Sequence, residues 1–185
     1  MSQNYLIDIA KDAIKEELLK TSLINKEKLL KEYPQLGKNK AAFVTLEKMG
    51  HLRGCIGSII AHRTLLEDLV NNAKAAAFND PRFPPLTKEE FENEALSIEI
   101  SLLSEPKRLN YDDIDDLKQK IRPGIDGVIL KYGTYQATYL PQVWEQLSDF
   151  DQFFSTLCQK AGLEGGCLAL HPDIFVYQAQ KIKNQ

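Results

Sequence analysis

The stretch Ala41-Ala42-Phe43-Val44-Thr45-Leu46-Glu47-Lys48-Met49-Gly50-His51-Leu52-Arg53-Gly54-Cys55-Ile56-Gly57 decides the fold class. Residues 41–46 and 51–56 are apolar-rich runs flanking a turn at Glu47-Lys48-Met49-Gly50, with glycine late in the loop. This pattern predicts a β-hairpin. Side chains on a strand alternate between two faces. His51, Arg53 and Cys55 are therefore expected on one face, with Leu52 and Ile56 on the other as core anchors.

Upstream, residues 6–19 place apolar side chains at helical spacing between lysines and glutamates, which predicts an amphipathic helix. A second helix over residues 26–32 ends before Pro34, because the residue preceding a proline is steered out of helical geometry. Downstream, Thr64 and Glu67 have capping-box spacing and predict a helix through Ala77 that stops near Asp80-Pro81. Asp80-Pro81-Arg82-Phe83-Pro84-Pro85 is a loop stiffened by three prolines. Thr87 and Glu90 repeat the capping-box spacing before a short helix. Residues 96–103 alternate Ser97, Glu99 and Ser101 against Ile98, Ile100 and Leu102, the pattern of a half-buried strand.

Residues 128–132 and 135–139 surround Gly133-Thr134 and predict a second hairpin. Pro141 opens a helix through Trp144 and Leu147. A further helix over residues 149–161 ends at Gly162, and residues 174–177 form a final strand. Hairpins interleaved with helices, without regular βαβ alternation, predict an α+β fold with a mainly antiparallel or mixed sheet and flanking helices.

With 185 residues the chain is long enough for a single domain over residues 1–185, built as one body or two closely packed subdomains. Its 23 Lys and Arg against 26 Asp and Glu give a net charge of −3, which speaks against a protein that neutralises a nucleic-acid backbone. At 43% hydrophobic and 26% charged, the composition excludes disorder as the main state. No apolar run approaches the ~20 residues of a membrane span. Met1-Ser2-Gln3-Asn4-Tyr5 has neither the basic stretch nor the apolar core of a secretory signal, so the cytoplasm is the expected location. Cys55, Cys158 and Cys167 are odd in number and widely spaced, which argues against a disulfide framework and for a reducing compartment. Cys158 reads as a core residue; Cys167 follows Gly165-Gly166 in a loop with no evident partner. With His51, His62 and His171 as the three histidines, no zinc-ligand cluster emerges, and no metal site is expected.

The block Leu52-Arg53-Gly54-Cys55-Ile56-Gly57 is the least generic chemistry in the chain. An arginine near a thiol favours the thiolate, the nucleophilic and metal-binding form. Gly54 and Gly57 would let a ligand or another backbone approach closely. The plainer reading is a buried free cysteine beside a solvated arginine. Glu99, between two hydroxyls on its strand, is a candidate general base or ligand. Arg82, in the proline loop, could hold an anion through its forked guanidinium or pair with an acidic neighbour. Gln142 and Glu145 could border a pocket, while Trp144 reads as a core anchor. Asp126, between Gly124 and Gly127, reads as a turn residue. Gly54-Cys55-Ile56-Gly57 also matches a bare GxxG, but that RNA clamp joins two helices, whereas this one ends a strand. No phosphate loop, dinucleotide fingerprint, HExxH or GxSxG is present. No cofactor is indicated.

Taken together, Ala42-Phe43-Val44-Thr45-Leu46, Leu52-Arg53-Gly54-Cys55-Ile56-Gly57, Asp80-Pro81-Arg82-Phe83-Pro84-Pro85-Leu86, Glu99-Ile100-Ser101, Gly127-Val128-Ile129-Leu130 and Leu140-Pro141-Gln142-Val143-Trp144-Glu145 resemble the AMMECR domain family. The bacterial branch of that family is called AmmeMemoRadiSam system protein A. The resemblance runs from about residue 5 to residue 180. The family's closing segment usually carries a tryptophan where Gly165-Gly166-Cys167-Leu168 stands here. The resemblance implies an α+β fold of two subdomains around a mixed sheet, with the Cys55 block near the groove between them. It also implies an association with a Memo-like protein and a radical SAM protein, encoded beside bacterial relatives, but no established reaction.

Two readings follow, and whether the chain is an enzyme stays open between them. In the first, the Cys55 groove is an active or ligand site. Cys55 is then nucleophile or metal-contacting thiolate, Arg53 and Arg82 hold an anionic group, and Glu99 is acid, base or ligand. In the second, the chain is a non-catalytic binding or scaffold module for the Memo-like or radical SAM partner, and Arg53-Gly54-Cys55-Ile56-Gly57 is architectural.

Overall fold

Leu6, Ile7, Ile9, Ala10, Ala13 and Ile14 recur every three or four residues and form the buried stripe of α1 (Asn4–Leu19). The computed structural model describes residues 4–92 and 96–183; residues 1–3, part of the segment read for a secretory signal, lie outside them. Asn25 caps α2 (Lys26–Glu32), its side-chain oxygen accepting the Lys28 N–H at 3.0 Å. A 3-10 turn, Pro34–Gly37, leads to the hairpin of β1 (Ala42–Lys48) and β2 (His51–Gly57). Thr64 and Glu67 make the expected capping box on α3 (Leu65–Phe78). α4 (Lys88–Glu92) and β3 (Leu96–Leu103) follow.

Two compact units divide the chain. The first comprises the residues up to Leu103 and again from Gln180, the second Ser104–Ala179. In the first unit β1 lies between β2 and β3, and the closing strand, Ala179–Lys183, adds to the far side of β3. Ala42, Val44 and Leu46 point to one face of this sheet with no exposed surface, and α3 packs on β1 and β2 there while α1 packs on α3 and β3. The carboxylate of Asp68 on α3 binds this layer to the sheet. It accepts the Ala42 N–H at 2.8 Å, the Ser58 hydroxyl at 2.6 Å, Arg63 Nε at 2.7 Å and Asn72 Nδ2 at 3.0 Å. A buried carboxylate needs such a full set of donors to offset its desolvation.

The second unit runs β4 (Lys107–Leu109), α5 (Ile114–Lys120), β5 (Gly127–Tyr132), β6 (Tyr135–Tyr139), α6 (Phe150–Lys160) and β7 (Asp173–Tyr177), with strand order β4-β7-β5-β6. The closing strand is β8. The registers of β1 with β2 and β3, and of β7 and β5 with their neighbours, are antiparallel. Trp144 stacks on Phe153 with ring centroids 3.6 Å apart, and its indole N–H donates to the Asp126 carbonyl at 2.9 Å. The fold is α+β, as the element pattern predicts. No helix among the described residues is long and apolar enough to cross a membrane.

Four sequence expectations need correction. Residues 174–177 are not the final strand, because Ala179–Lys183 follows. The first hairpin turns on two residues, not four: Met49 and Gly50 adopt positive φ of 53° and 78°, so Glu47 and Lys48 stay in β1. That geometry follows the right-handed twist of the strands. The segment after Pro141 is a 3-10 turn, Pro141–Glu145, and not an α-helix through Leu147. The cysteines also pair. Cys158 on α6 and Cys167 in the 3-10 turn Cys167–Leu170 form a disulfide with Cα atoms 5.8 Å apart, leaving Cys55 free. Cys167 is buried and does have a partner, because the chain reverses at Gly162, where φ is 89°, and folds back along α6. The odd count concealed this pairing.

This disulfide closes a short loop, for which chain-entropy reasoning gives about 2–3 kcal/mol of stabilisation. Replacing Cys158 and Cys167 together by alanine should lower the stability of the second unit by about that amount. Urea unfolding followed by the fluorescence of Trp144, the single tryptophan, reads that unit; an unchanged midpoint would show that the cross-link contributes nothing.

Candidate functional site

The alternation on which the hairpin face assignment rests breaks inside β2. Leu46 pairs with Gly54 and Glu47 pairs with Leu52, so Arg53 is the extra residue of a β-bulge. The bulge reverses the side-chain phase on either side of it. Cys55 pairs with Thr45, and Leu52 joins that same face instead of anchoring the core; Leu52 is 44% exposed. Ile56, opposite Val44, does pack against the core. Arg53 and Cys55 therefore do not stand side by side.

Arg53 is 8% exposed and turned towards α4 and the proline loop. Its guanidinium grips Glu90 in a two-pronged pair, Nε to Oε1 at 3.1 Å and Nη2 to Oε2 at 2.9 Å, and Nη2 also donates to the Pro84 carbonyl at 3.0 Å. Lys48 adds a third donor to Glu90 at 3.0 Å. The Arg53 hydrogen bonds pull the Glu90 carboxyl down to about 2 against the cost of burial. The arginine expected to activate a thiol is instead a clamp.

Gly54 and Gly57 also have structural neighbours where a ligand was expected. A Cβ at Gly54 would lie 2.1 Å from the Ala76 carbonyl oxygen of α3, and one at Gly57 would lie 2.2 Å from the Phe43 ring. The first glycine lets β2 approach the helix backbone, and the second makes room for an aromatic ring.

Cys55 remains half-buried, with Sγ 3.2 Å from Thr45 Oγ1. Burial pushes its thiol pKa up, opposed by the Thr45 hydrogen bond and by the charge of Arg82. Its backbone is held as firmly as its neighbours. The Cys55 N–H donates to Asp80 Oδ2 at 2.9 Å, and Arg82 Nη2 donates to the Cys55 carbonyl at 3.3 Å. Asp80, itself buried, accepts Arg82 Nε at 2.9 Å and Nη2 at 2.7 Å, together with the Arg82 backbone N–H at 3.1 Å. The Arg82 hydrogen bonds hold the Asp80 carboxyl well below the usual carboxylate range, and Asp80 in turn raises Arg82. Arg82 keeps an exposed flank beside the Phe83 ring, 5.5 Å from its centroid.

Glu99 projects from the same sheet face as Cys55, because each is the direct partner of Thr45 from opposite sides. It is 5% exposed rather than solvent-facing, and Lys183 Nζ lies 2.8 Å from Oε2. Lys181 Nζ is 3.9 Å from Oε1. The residues Cys55, Thr45, Glu99 and Lys183 thus form one row across four strands. Gln142 and Glu145 belong to the 3-10 turn of the second unit, the first half-buried and the second exposed. Among the described residues no cluster of three or more His, Cys, Asp or Glu has metal-binding placement.

Sequence reasoning missed Asp80, Glu90, Thr45 and Lys183. Asp80 read as a helix stop and Glu90 as a capping residue, and both do lie at those positions. Their longer-range partners carried one usable signal each: an aspartate two residues before an arginine in a stiff loop, and an unassigned arginine in β2.

The chain is a two-sheet α+β protein. The AMMECR1 family pattern matches residues 7–182, and the chain belongs to that family. It is 36% identical over 177 residues to a protein of Methanothermobacter thermautotrophicus, covering 95% of this chain and 89% of the relative. A Sulfolobus acidocaldarius protein is 40% identical over 186 residues, covering 96% of this chain and 76% of the relative. The crystal structure of an uncharacterised protein from Pyrococcus horikoshii superposes with a TM-score of 0.85 at 31% identity, covering 98% of this chain and 91% of that one.

Two outcomes follow from the geometry. Gly54→Ala should cost about 3 kcal/mol or more, because a backbone oxygen in a helix cannot yield to the new methyl group; a wild-type urea midpoint in that variant would overturn the close-approach account. The Glu90 carboxyl is depressed in the folded state, so its contribution is complete above its ordinary value of 4.5 and is lost as pH falls from there to about 2. Wild type should therefore be more stable than Glu90→Gln at neutral pH, and the gap should close over that acid interval in urea titrations followed by far-UV circular dichroism.

Proposed function

We propose that this chain is a non-catalytic binding module of a system that also contains a Memo-like and a radical SAM protein, working in the cytoplasm. One observation carries the reading: the block that most suggests catalysis is occupied in holding the fold. Arg53 is neutralised by Glu90, Gly54 and Gly57 meet helix backbone and an aromatic ring, and Cys55 is tied to Asp80 through its own N–H. The remaining thiol is pushed towards its protonated form, the reverse of what a nucleophilic cysteine needs.

The surface left for a partner is the hairpin end and the proline loop beside it. Met49 is 77% exposed and Leu52 is also open, while Arg82 presents one flank of its guanidinium next to Phe83. Exposed apolar side chains next to an arginine and an aromatic ring are the composition of a protein-binding centre. A cytoplasmic setting is compatible with the disulfide, because both sulfurs are sealed from the thiols that would have to attack them.

The row of Cys55, Thr45 and Glu99 on one face supports the catalytic alternative, and thiol reactivity separates the two. In the native protein at pH 7, Cys55 should react with iodoacetamide far more slowly than free cysteine and accelerate only in alkaline solution. Cys55→Ser should still co-purify with the co-expressed Memo-like or radical SAM protein, while Leu52→Asp with Arg82→Ala should not. Rapid alkylation at pH 7 together with loss of system activity in Cys55→Ser would replace the binding reading with the catalytic one.

A further inference from the structure

The tip of the β1–β2 hairpin breaks a local rule. Its two turn residues stand between the paired Lys48 and His51, and both have positive φ. Asparagine followed by glycine meets that need at least cost. Gly50 fits, with φ of 78° and open space where a Cβ would stand. Met49 does not fit. Its side chain is held at φ 53°, in a region sparsely used by residues other than glycine, asparagine and aspartate. Packing within the chain does not offset this, because Met49 is 77% exposed, the most open large apolar side chain among the described residues. A strained backbone carrying exposed apolar surface marks a position kept for something other than stability.

The hairpin beneath the tip is held in place. Glu90 ties Lys48 of β1 to Arg53 of β2, at 3.0 and 2.9 Å, and Asp80 holds the Cys55 N–H. A tip fixed in this way loses little freedom when it docks. The charge at its base is one-sided. The single carboxylate of Glu90 answers two cations; the Arg53 side chain is buried, whereas that of Lys48 is 38% exposed. Elsewhere on this sheet Glu47 and Glu99 are matched by Lys181 and Lys183. The surplus positive charge therefore sits at Lys48, next to Met49.

We propose that Met49 is the anchor of the partner interface and inserts into an apolar pocket rimmed by carboxylates on the partner protein. This rests on the binding-module reading and names its central contact. A convex tip calls for a concave occupant, and an unbranched, polarizable thioether fills an irregular apolar pocket well. Leu52, also exposed, extends the apolar contact along β2. Carboxylates at the pocket rim meet Lys48, which a purely apolar rim would strip of water without a partner. A partner β-strand fits less well, because the outward N–H and C=O of Cys55 on this edge are already taken by Asp80 and Arg82.

Stability and binding should move in opposite directions in Met49→Asn. The substitution relieves the turn, so the urea midpoint of the full chain should rise above wild type. In calorimetric titration against the purified Memo-like or radical SAM protein, the same variant should bind roughly tenfold or more weakly. Misfolding cannot explain such a loss in a more stable protein. Met49→Leu should bind within a few fold of wild type. Wild-type affinity should fall between about 0.05 and 0.3 M salt, and fall less in Lys48→Gln. Equal affinity of wild type and Met49→Asn overturns the anchor and leaves the binding-module reading standing. So does a loss in Met49→Leu as large as in Met49→Asn, or an affinity indifferent to salt. A urea midpoint that does not rise in Met49→Asn overturns the strained tip and the anchor with it. Wild-type binding to neither protein overturns both readings. Self-association of the wild type that Met49→Asn abolishes assigns the tip to a second copy of this chain instead.

Discussion

The Asp80 carboxylate organises the first unit's sheet edge. β2 is an edge strand, and an edge exposes unpaired N–H and C=O groups that invite other strands. Asp80 takes the Cys55 N–H, and Arg82, held by Asp80 in a two-pronged pair, donates to the Cys55 carbonyl. One buried aspartate thus caps the strand, fixes the proline loop against it and neutralises an arginine. The proline φ restrictions make the arrangement inexpensive in conformational entropy, because the loop has few other shapes to lose.

The same device recurs elsewhere in the chain. Asp126 in the second unit accepts the Arg122 N–H and a two-pronged pair from its guanidinium, while its own carbonyl receives the Trp144 indole N–H. Asp68 gathers four donors where α3 meets the start of β1. Each carboxylate is buried and each is saturated, which converts a desolvation penalty into a specific junction between elements. Arg53 with Glu90 completes the set from the side of the base. Charged residues in this chain that look catalytic in isolation serve largely to join segments distant in sequence.

Local information was enough for much of this. The capping boxes at Thr64–Glu67 and Thr87–Glu90, the amphipathic stripe of α1 and the Ser-Ile-Glu-Ile-Ser alternation of β3 lie within a few residues of their causes, and each element formed where its pattern lies. The Cys158–Cys167 cross-link stayed hidden, because it depends on where the chain after Gly162 returns. The bulge at Arg53 stayed hidden for a related reason. One extra residue in a strand leaves no mark in composition, yet it moves Leu52 to the face of Cys55 and sends Arg53 away from the thiol. The candidate site was therefore located by its residues but misread in its internal geometry.

By itself, then, the sequence determined the α+β class, most element positions, membership in a family and the stretch where unusual chemistry gathers. These follow from periodicity, turn chemistry and motif, all short-range properties of the chain. Only the tertiary structure decided what Arg53, Gly54 and Cys55 do, whereas Arg82 pairs with Asp80 two residues before it. A guanidinium or a thiol takes its state from whichever group lies within about 3–4 Å of it, and for Arg53 and Cys55 that neighbour comes from a segment 10 to 37 residues away whose approach no local pattern encodes.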